Sequence, residues 1–131
     1  MELGTDIIEI ERIQKIIDNH PEMIKGFLTE EELIIYHNLI GQRQAEFLSG
    51  RFCAKEAYVK ALGTGFRNGI RPTDIEILPN DMGVPTLMNG PIVEGVKISI
   101  SHSKTVAMAT CLIDSQSETI YETLKKKGIS L

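Results

Sequence analysis

Residues 48–62 read LSGRFCAKEAYVKAL. Wound at 100° per residue, the stretch puts Leu48, Phe52, Val59 and Leu62 on one side. Cys53, Ala54, Ala57 and Ala61 cover most of the other. Two narrow polar arcs remain, one of Arg51 and Lys55, the other of Ser49, Glu56 and Lys60. A helix apolar on both sides packs on both sides. Its charges then sit in clefts, where a charge needs a partner. These charges are read as binding a metal and a phosphorylated cofactor.

The rest of the chain must supply two packing surfaces. At 131 residues it is one domain with a modest core. Its hydrophobic content of 42% and charged content of 24% suit an ordinary globular protein. Net charge is -4, and no basic run or aromatic-basic interleaving points to nucleic acid. An acidic partner would have to meet a local basic patch. Cys53 and Cys111 lack metal-ligand spacing and read as reduced core thiols. Asp6, Glu9, Glu11 and Arg12 interrupt the first dozen residues, unlike a secretory leader. No apolar run reaches the roughly 18 residues of a membrane span. A cytoplasmic protein is the expectation.

Residues 2–10 are predicted as a strand with Asp6 on the face of Ile8 and Ile10. Asp6 is either an edge acid facing water or a metal ligand. Residues 10–19 read as a helix striped by Ile13, Ile16 and Ile17, ended or kinked at Pro21. Thr29 and Glu32 form a capping-box pattern before a short helix bearing Leu33, Ile34 and Tyr36. His37, late in that helix, reads as a surface residue. Gly41 is expected to close it. The long helix then runs from Gln42 to Leu62, stopped by Gly63-Thr64-Gly65. The loop GTGFRNGIRP fits neither a Walker A loop nor a dinucleotide fingerprint.

Residues 73–78 are predicted as a strand, turning through 79–83 into a hairpin partner at 84–88. Residues 96–102 alternate, with Val96, Ile98, Ile100 and His102 on one face. His102 is either a hydrogen-bonded structural residue or a catalytic one. Ser103-Lys104 turns the chain into an apolar, central strand at 105–113. Ser117 is expected to cap a helix over 118–127 that has a weak apolar face of Ile120, Tyr121 and Leu124. Helices and strands segregate along the chain, which gives an α+β class. Residues 1–114 form the main domain and 115–131 an accessory helix and tail.

Three motifs fall together: Gly4-x-Asp6 on the first strand, Phe52-Cys-Ala-Lys55-Glu56-Ala57-x-x-Lys60-Ala61 before Gly63-x-Gly65, and Ser99-Ile-Ser101-His102-Ser103 before the last strand. Over residues 2–113 the chain resembles holo-[acyl-carrier-protein] synthase, the small bacterial 4'-phosphopantetheinyl transferase. The resemblance implies that family's fold, a long central helix packed on an antiparallel sheet, assembled as a homotrimer with active sites between subunits. It implies transfer of 4'-phosphopantetheine from coenzyme A to a serine of apo acyl carrier protein, in support of fatty acid biosynthesis. Asp6 and Glu56 would be the magnesium ligands, and Lys60 would meet the leaving phosphate. The base is either Glu56 or a metal-bound water. Arg43 and His102 would hold the 3'-phosphate, Arg51 and Ser103 the nucleotide, and Gly63 and Gly65 would pass close to the cofactor.

Arg12, with Lys15 and Lys25, would meet the acidic carrier. The patch is thin, because Glu22 and Gly26 stand where some relatives are basic, and position 42 is Gln rather than a lysine. Three other readings compete. Glu56 and Lys60 could be a plain i,i+4 ion pair. A non-catalytic nucleotide-binding module would keep the basic residues. A magnesium-dependent phosphohydrolase would keep the carboxylates without needing Arg12.

Overall fold

The computed structural model describes residues 1–129. The chain opens with strand β1, Glu2–Glu9, and helix α1, Ile10–Asn19. A short 3-10 helix, Pro21–Gly26, leads to α2, Glu30–His37, and the long α3, Gln42–Leu62. A second 3-10 turn, Pro72–Asp74, precedes the hairpin of β2, Glu76–Pro79, and β3, Pro85–Asn89. Strands β4, Val96–His102, and β5, Val106–Ile113, come next, then α4, Ser117–Lys126. The main sheet is antiparallel in the order β1-β5-β4, so the apolar strand β5 is central as its composition predicts.

Helix α3 lies across the main sheet and is the hub of the core. Thirteen of its residues are buried, among them Leu48, Cys53, Ala54, Ala57 and Val59. The inward face of β5 is small, with Ala107, Ala109 and Cys111 all buried. Small residues on both surfaces let helix and sheet approach closely. The limit comes at Gly4 of β1, where a Cβ would stand 1.9 Å from the carbonyl oxygen of Ala57 and 2.7 Å from the nitrogen of Ala61. Any larger residue must push the strand off the helix.

The other side of α3 packs on α1, α2 and the hairpin, and it holds a buried ion pair. Lys55 Nζ donates to Glu32 Oε1 at 2.6 Å, Phe27 O at 2.8 Å and Pro72 O at 3.0 Å. All three ammonium protons are thus used. Glu32 also accepts from Thr29 N at 2.8 Å, closing the capping box, and from Ile77 N of β2 at 2.9 Å. One carboxylate therefore caps α2, neutralises α3 and anchors β2. Burial pushes the Lys55 ammonium down from its ordinary value, and Glu32 opposes that shift. Tyr58 pins the β3–β4 loop, since its hydroxyl donates to Ile92 O at 2.6 Å and accepts from Ile92 N at 2.9 Å.

Several local expectations need correction. Gly41 does not close α2, which ends at an αR Asn38; with φ 63° it opens α3 as the N-cap. The strand expected over 73–78 begins only at Glu76, because Asp74 accepts from the Arg71 N–H at 2.9 Å and holds a 3-10 turn there. Ser117 does not cap α4; Gln116 is the N-cap and makes no side-chain cap bond. Ile120 and Leu124 of that helix are buried with the main core, while Tyr121 is exposed.

Two stability measurements test this packing. Gly4→Ala should cost about 3 kcal/mol in urea denaturation, the upper range for forcing a methyl into a filled core. Lys55→Met should cost about 3–5 kcal/mol by stranding the Glu32 carboxylate. Combined with Glu32→Gln it should show a coupling energy of at least about 1 kcal/mol. A loss below about 1 kcal/mol for Lys55→Met would mean that the pair does not anchor the fold.

Candidate active site

The two polar arcs of α3 have different fates. Arg51 and Lys55 are buried, and Lys55 is wholly engaged in the ion pair just described, so it reaches no cleft. Arg51 is 7% exposed, lies over the Phe47 ring at 4.5 Å and donates from Nε to Ile77 O at 2.9 Å. On the other arc, Ser49 is buried with its hydroxyl unpartnered. Glu56 and Lys60 open instead into a cleft of about 720 Å³.

This first cleft gathers Asp6 from β1, Arg12 and Lys15 from α1, and Glu56 and Lys60 from α3. Its floor is apolar, with Ile8, Ile13, Phe27 and Phe52. Asp6 reaches it because β1 alternates, so that Gly4, Asp6 and Ile8 all point toward α3. Lys60 Nζ donates to Asp6 Oδ1 at 3.1 Å and to Thr5 O at 3.0 Å. One ammonium proton remains free. Burial first, and then the Asp6 charge, push the Glu56 carboxyl above its ordinary range, while Lys60 pulls it down. Cys53 behind Asp6 has its thiol pushed up to about 12 by burial, by the Asp6 charge and by a hydrogen bond to Asp6. It is a structural thiol, as is the buried Cys111.

The donor set suits one kind of cation. Asp6 and Glu56 lie close enough that the charge of Asp6 adds to the burial that makes an ionised Glu56 costly, and Lys60 offsets only part of it. Among the described residues no cluster of three or more His, Cys, Asp or Glu side chains forms. A cation held here would complete its shell with substrate oxygens and water. That is the habit of magnesium.

A second cleft, of about 260 Å³, lies elsewhere on the chain. It is lined by Arg43, Glu46 and Arg51 of α3, with His102 at the end of β4. His102 Nδ1 lies 3.7 Å from Glu46 Oε2. Glu46 was not singled out in the sequence. Its position one turn beyond Arg43 on the helix is the only signal that could have found it. Among the described residues none lines both clefts.

The remaining predicted residues fall outside the two clefts. Ser103 shapes the β4–β5 turn, where its hydroxyl accepts from Thr105 N and Val106 N at 3.3 and 3.2 Å. Gly63 ends α3 in the left-handed conformation, at φ 86°. The N–H groups of Gly63 and Gly65 donate to the carbonyls of Lys60 and Val59, so they are not free to cradle a phosphate. Lys25 sits on the first 3-10 helix, exposed and apart from Arg12 and Lys15.

Residues 2–111 match the model of the 4'-phosphopantetheinyl transferase superfamily. A holo-[acyl-carrier-protein] synthase of Bacillus cereus (strain AH187) is 44% identical over 115 residues, covering 88% of this chain and 96% of the relative. One from Anoxybacillus flavithermus is 40% identical over 112 residues, covering 86% and 93%. Among solved structures, the synthase of Bacillus anthracis str. Ames in complex with CoA (3',5'-ADP) superposes with a TM-score of 0.81. It is 42% identical and covers 88% of this chain and 96% of its own. The synthase of Neisseria meningitidis gives 0.76 at 27% identity, covering 87% and 98%. By sequence and by fold alike, this chain belongs to the holo-[acyl-carrier-protein] synthases of the 4'-phosphopantetheinyl transferase superfamily.

Proposed function

We propose that the chain transfers 4'-phosphopantetheine from coenzyme A to a serine hydroxyl of an apo acyl carrier protein, releasing adenosine 3',5'-bisphosphate and serving fatty acid biosynthesis. The observation that carries this reading is the meeting of Asp6, Glu56 and Lys60 in one cleft with Arg12 and Lys15 beside them. Its chemistry fits a diphosphate in the cleft and an acidic protein at its edge.

Asp6 and Glu56 would hold magnesium, which when bound neutralises the diphosphate and aligns it for attack. The chain's own groups do the rest. Lys60 has a free proton for the departing phosphate, and the Thr5 carbonyl and Asp6 hold its ammonium in place. Glu56 is the carboxyl pushed upward by burial and by Asp6, which makes it the better proton acceptor for the serine hydroxyl. Arg12 and Lys15 supply the local positive charge that a net charge of -4 does not. Arg43, Arg51 and His102 form a cationic cleft suited to the nucleotide and its phosphate.

The protein acts as a homotrimer with its active sites between subunits. Two observations support this. The groups suited to the diphosphate and those suited to the nucleotide line separate clefts on one chain. On the main sheet, the face turned away from α3 carries an apolar ridge, with Ile7 opposite Met108 and Leu3 further along; they are 67%, 42% and 63% exposed. That ridge awaits a covering partner. Residues 1–114 carry the transfer, and α4 is an accessory that completes the core through Ile120 and Leu124. No helix among the described residues is long and apolar enough to cross a membrane. That agrees with a cytoplasmic site of action.

Incubation with apo carrier, coenzyme A and magnesium should add one phosphopantetheine mass to the carrier, read by mass spectrometry. No gain while a control synthase is active would contradict the reading, and coenzyme A cleavage without carrier would indicate a hydrolase. Glu56→Gln should lower the transfer rate at least about 100-fold. Its melting temperature in metal-free buffer should not fall, because the change removes one of two neighbouring carboxylates. Full activity in that variant would remove Glu56 from the site.

A further inference from the structure

His102 closes β4 at the edge of the second cleft, and its ring is held from one side. Two groups approach Nδ1, and both are acceptors. The carbonyl oxygen of Ser103 lies at 3.3 Å and Glu46 Oε2 at 3.7 Å. A neutral imidazole has one N–H and one lone pair. A lone pair on Nδ1 would face a carbonyl dipole and a carboxylate together, so the hydrogen belongs there. The lone pair then falls on Nε2. An anion approaching Nε2 of the neutral ring is repelled by that lone pair. Only the imidazolium offers it an N–H.

Glu46 is free to act on the ring. Among the described residues its one ion-pairing partner is His102, and its side chain is 24% exposed. The other charged groups lining the cleft with the histidine are Arg43 and Arg51, on the same helix as Glu46. Strand β3 brings only Pro85 to the cleft, and β5 sets Ala107 opposite His102, so neither contributes a titrating group. The two guanidiniums keep their charge at every pH near neutrality, even though burial lowers Arg51 from its ordinary value. Both guanidiniums therefore offer an anion their N–H groups whichever form His102 takes.

We infer that Glu46 is a positioning residue that, with the Ser103 carbonyl, holds His102 as its Nδ1–H tautomer, and so makes the contribution of His102 to anion binding depend on a proton. From the proposed function the inference takes only the identity of the anion, a nucleotide 3'-phosphate. The tautomer stands without it.

Nitrogen-15 NMR of the imidazoles in the intact protein reads the tautomer directly at about pH 8, where an ordinary imidazole is neutral. The His102 signals are identified by their loss in His102→Gln. The neutral ring should carry its hydrogen on Nδ1 in the wild type, and the fraction carrying it on Nε2 should rise in Glu46→Ala, where only the Ser103 carbonyl is left to hold Nδ1–H. Nε2–H in the wild type, or no change in Glu46→Ala, would overturn the inference. Calorimetric titration with adenosine 3',5'-bisphosphate gives the functional arm, with His102→Gln correcting for the ligand's own titration. Between about pH 6 and about pH 8 the affinity should fall roughly tenfold in the wild type. In Glu46→Ala the fall should shrink to less than about threefold, because the neutral ring can then donate from Nε2. An equal fall in both proteins would overturn the positioning role. No binding by the wild type at either pH would sink the assigned anion instead, with the NMR result still deciding the tautomer.

Discussion

Strand β1 meets α3 at Gly4 with no side chain between them, and the candidate active site follows from that contact. The backbone of Ala57 occupies the space that a Cβ at Gly4 would need. With the strand this close, the next inward residue, Asp6, comes within hydrogen-bonding reach of Lys60, one turn along the helix from Glu56. The small inward residues of β5 extend the same close surface. A tighter helix–sheet distance contributes dispersion and burial. Here it also brings two carboxylates from distant parts of the chain into one cleft.

The charges of α3 divide by how completely they are paired. Lys55 has every donor satisfied and the carboxylate of its partner Glu32 is used three ways, so this pair is structure. Networks of that kind rigidify a core when every member is satisfied. Glu56 is only partly buried, and Lys60 is exposed and keeps a spare proton. Incomplete pairing in a cleft leaves groups free for a ligand. The buried arc thus holds the helix while the open arc is left for chemistry.

Much of this was legible in the sequence. The limits of α3, the Thr29–Glu32 capping box, the Ile13 stripe, the central place of β5 and the inward face of Asp6 all follow from periodicity and capping chemistry. Glu32 read only as a capping residue, because its second role depends on Lys55 and Ile77, which are far away in sequence. Lys55 read as a ligand-binding charge for the same reason. The strand start at Glu76 was hidden by a local competitor, the Asp74 carboxylate, which draws residues 72–74 into a turn. The need for glycine at position 4 was visible as a motif but not as a cause. A lone glycine in a strand does not reveal what backbone approaches it.

The proposed donor carries both a diphosphate and a nucleotide phosphate, and the groups suited to each line separate clefts. The carboxylate–lysine cleft and the arginine–histidine cleft share no residue, and the exposed ridge of Leu3, Ile7 and Met108 offers a surface through which copies could join them. Mixing subunits tests this most directly. Glu56→Gln chains and His102→Ala chains, each assayed alone for its residual rate, would be unfolded together, refolded and assayed for transfer to the carrier. If each site draws Glu56 from one chain and His102 from its neighbour, random assembly of equal amounts should restore about one quarter of the wild-type sites. Activity no higher than that of the separate variants, in assemblies shown to be mixed, would contradict a site shared between subunits.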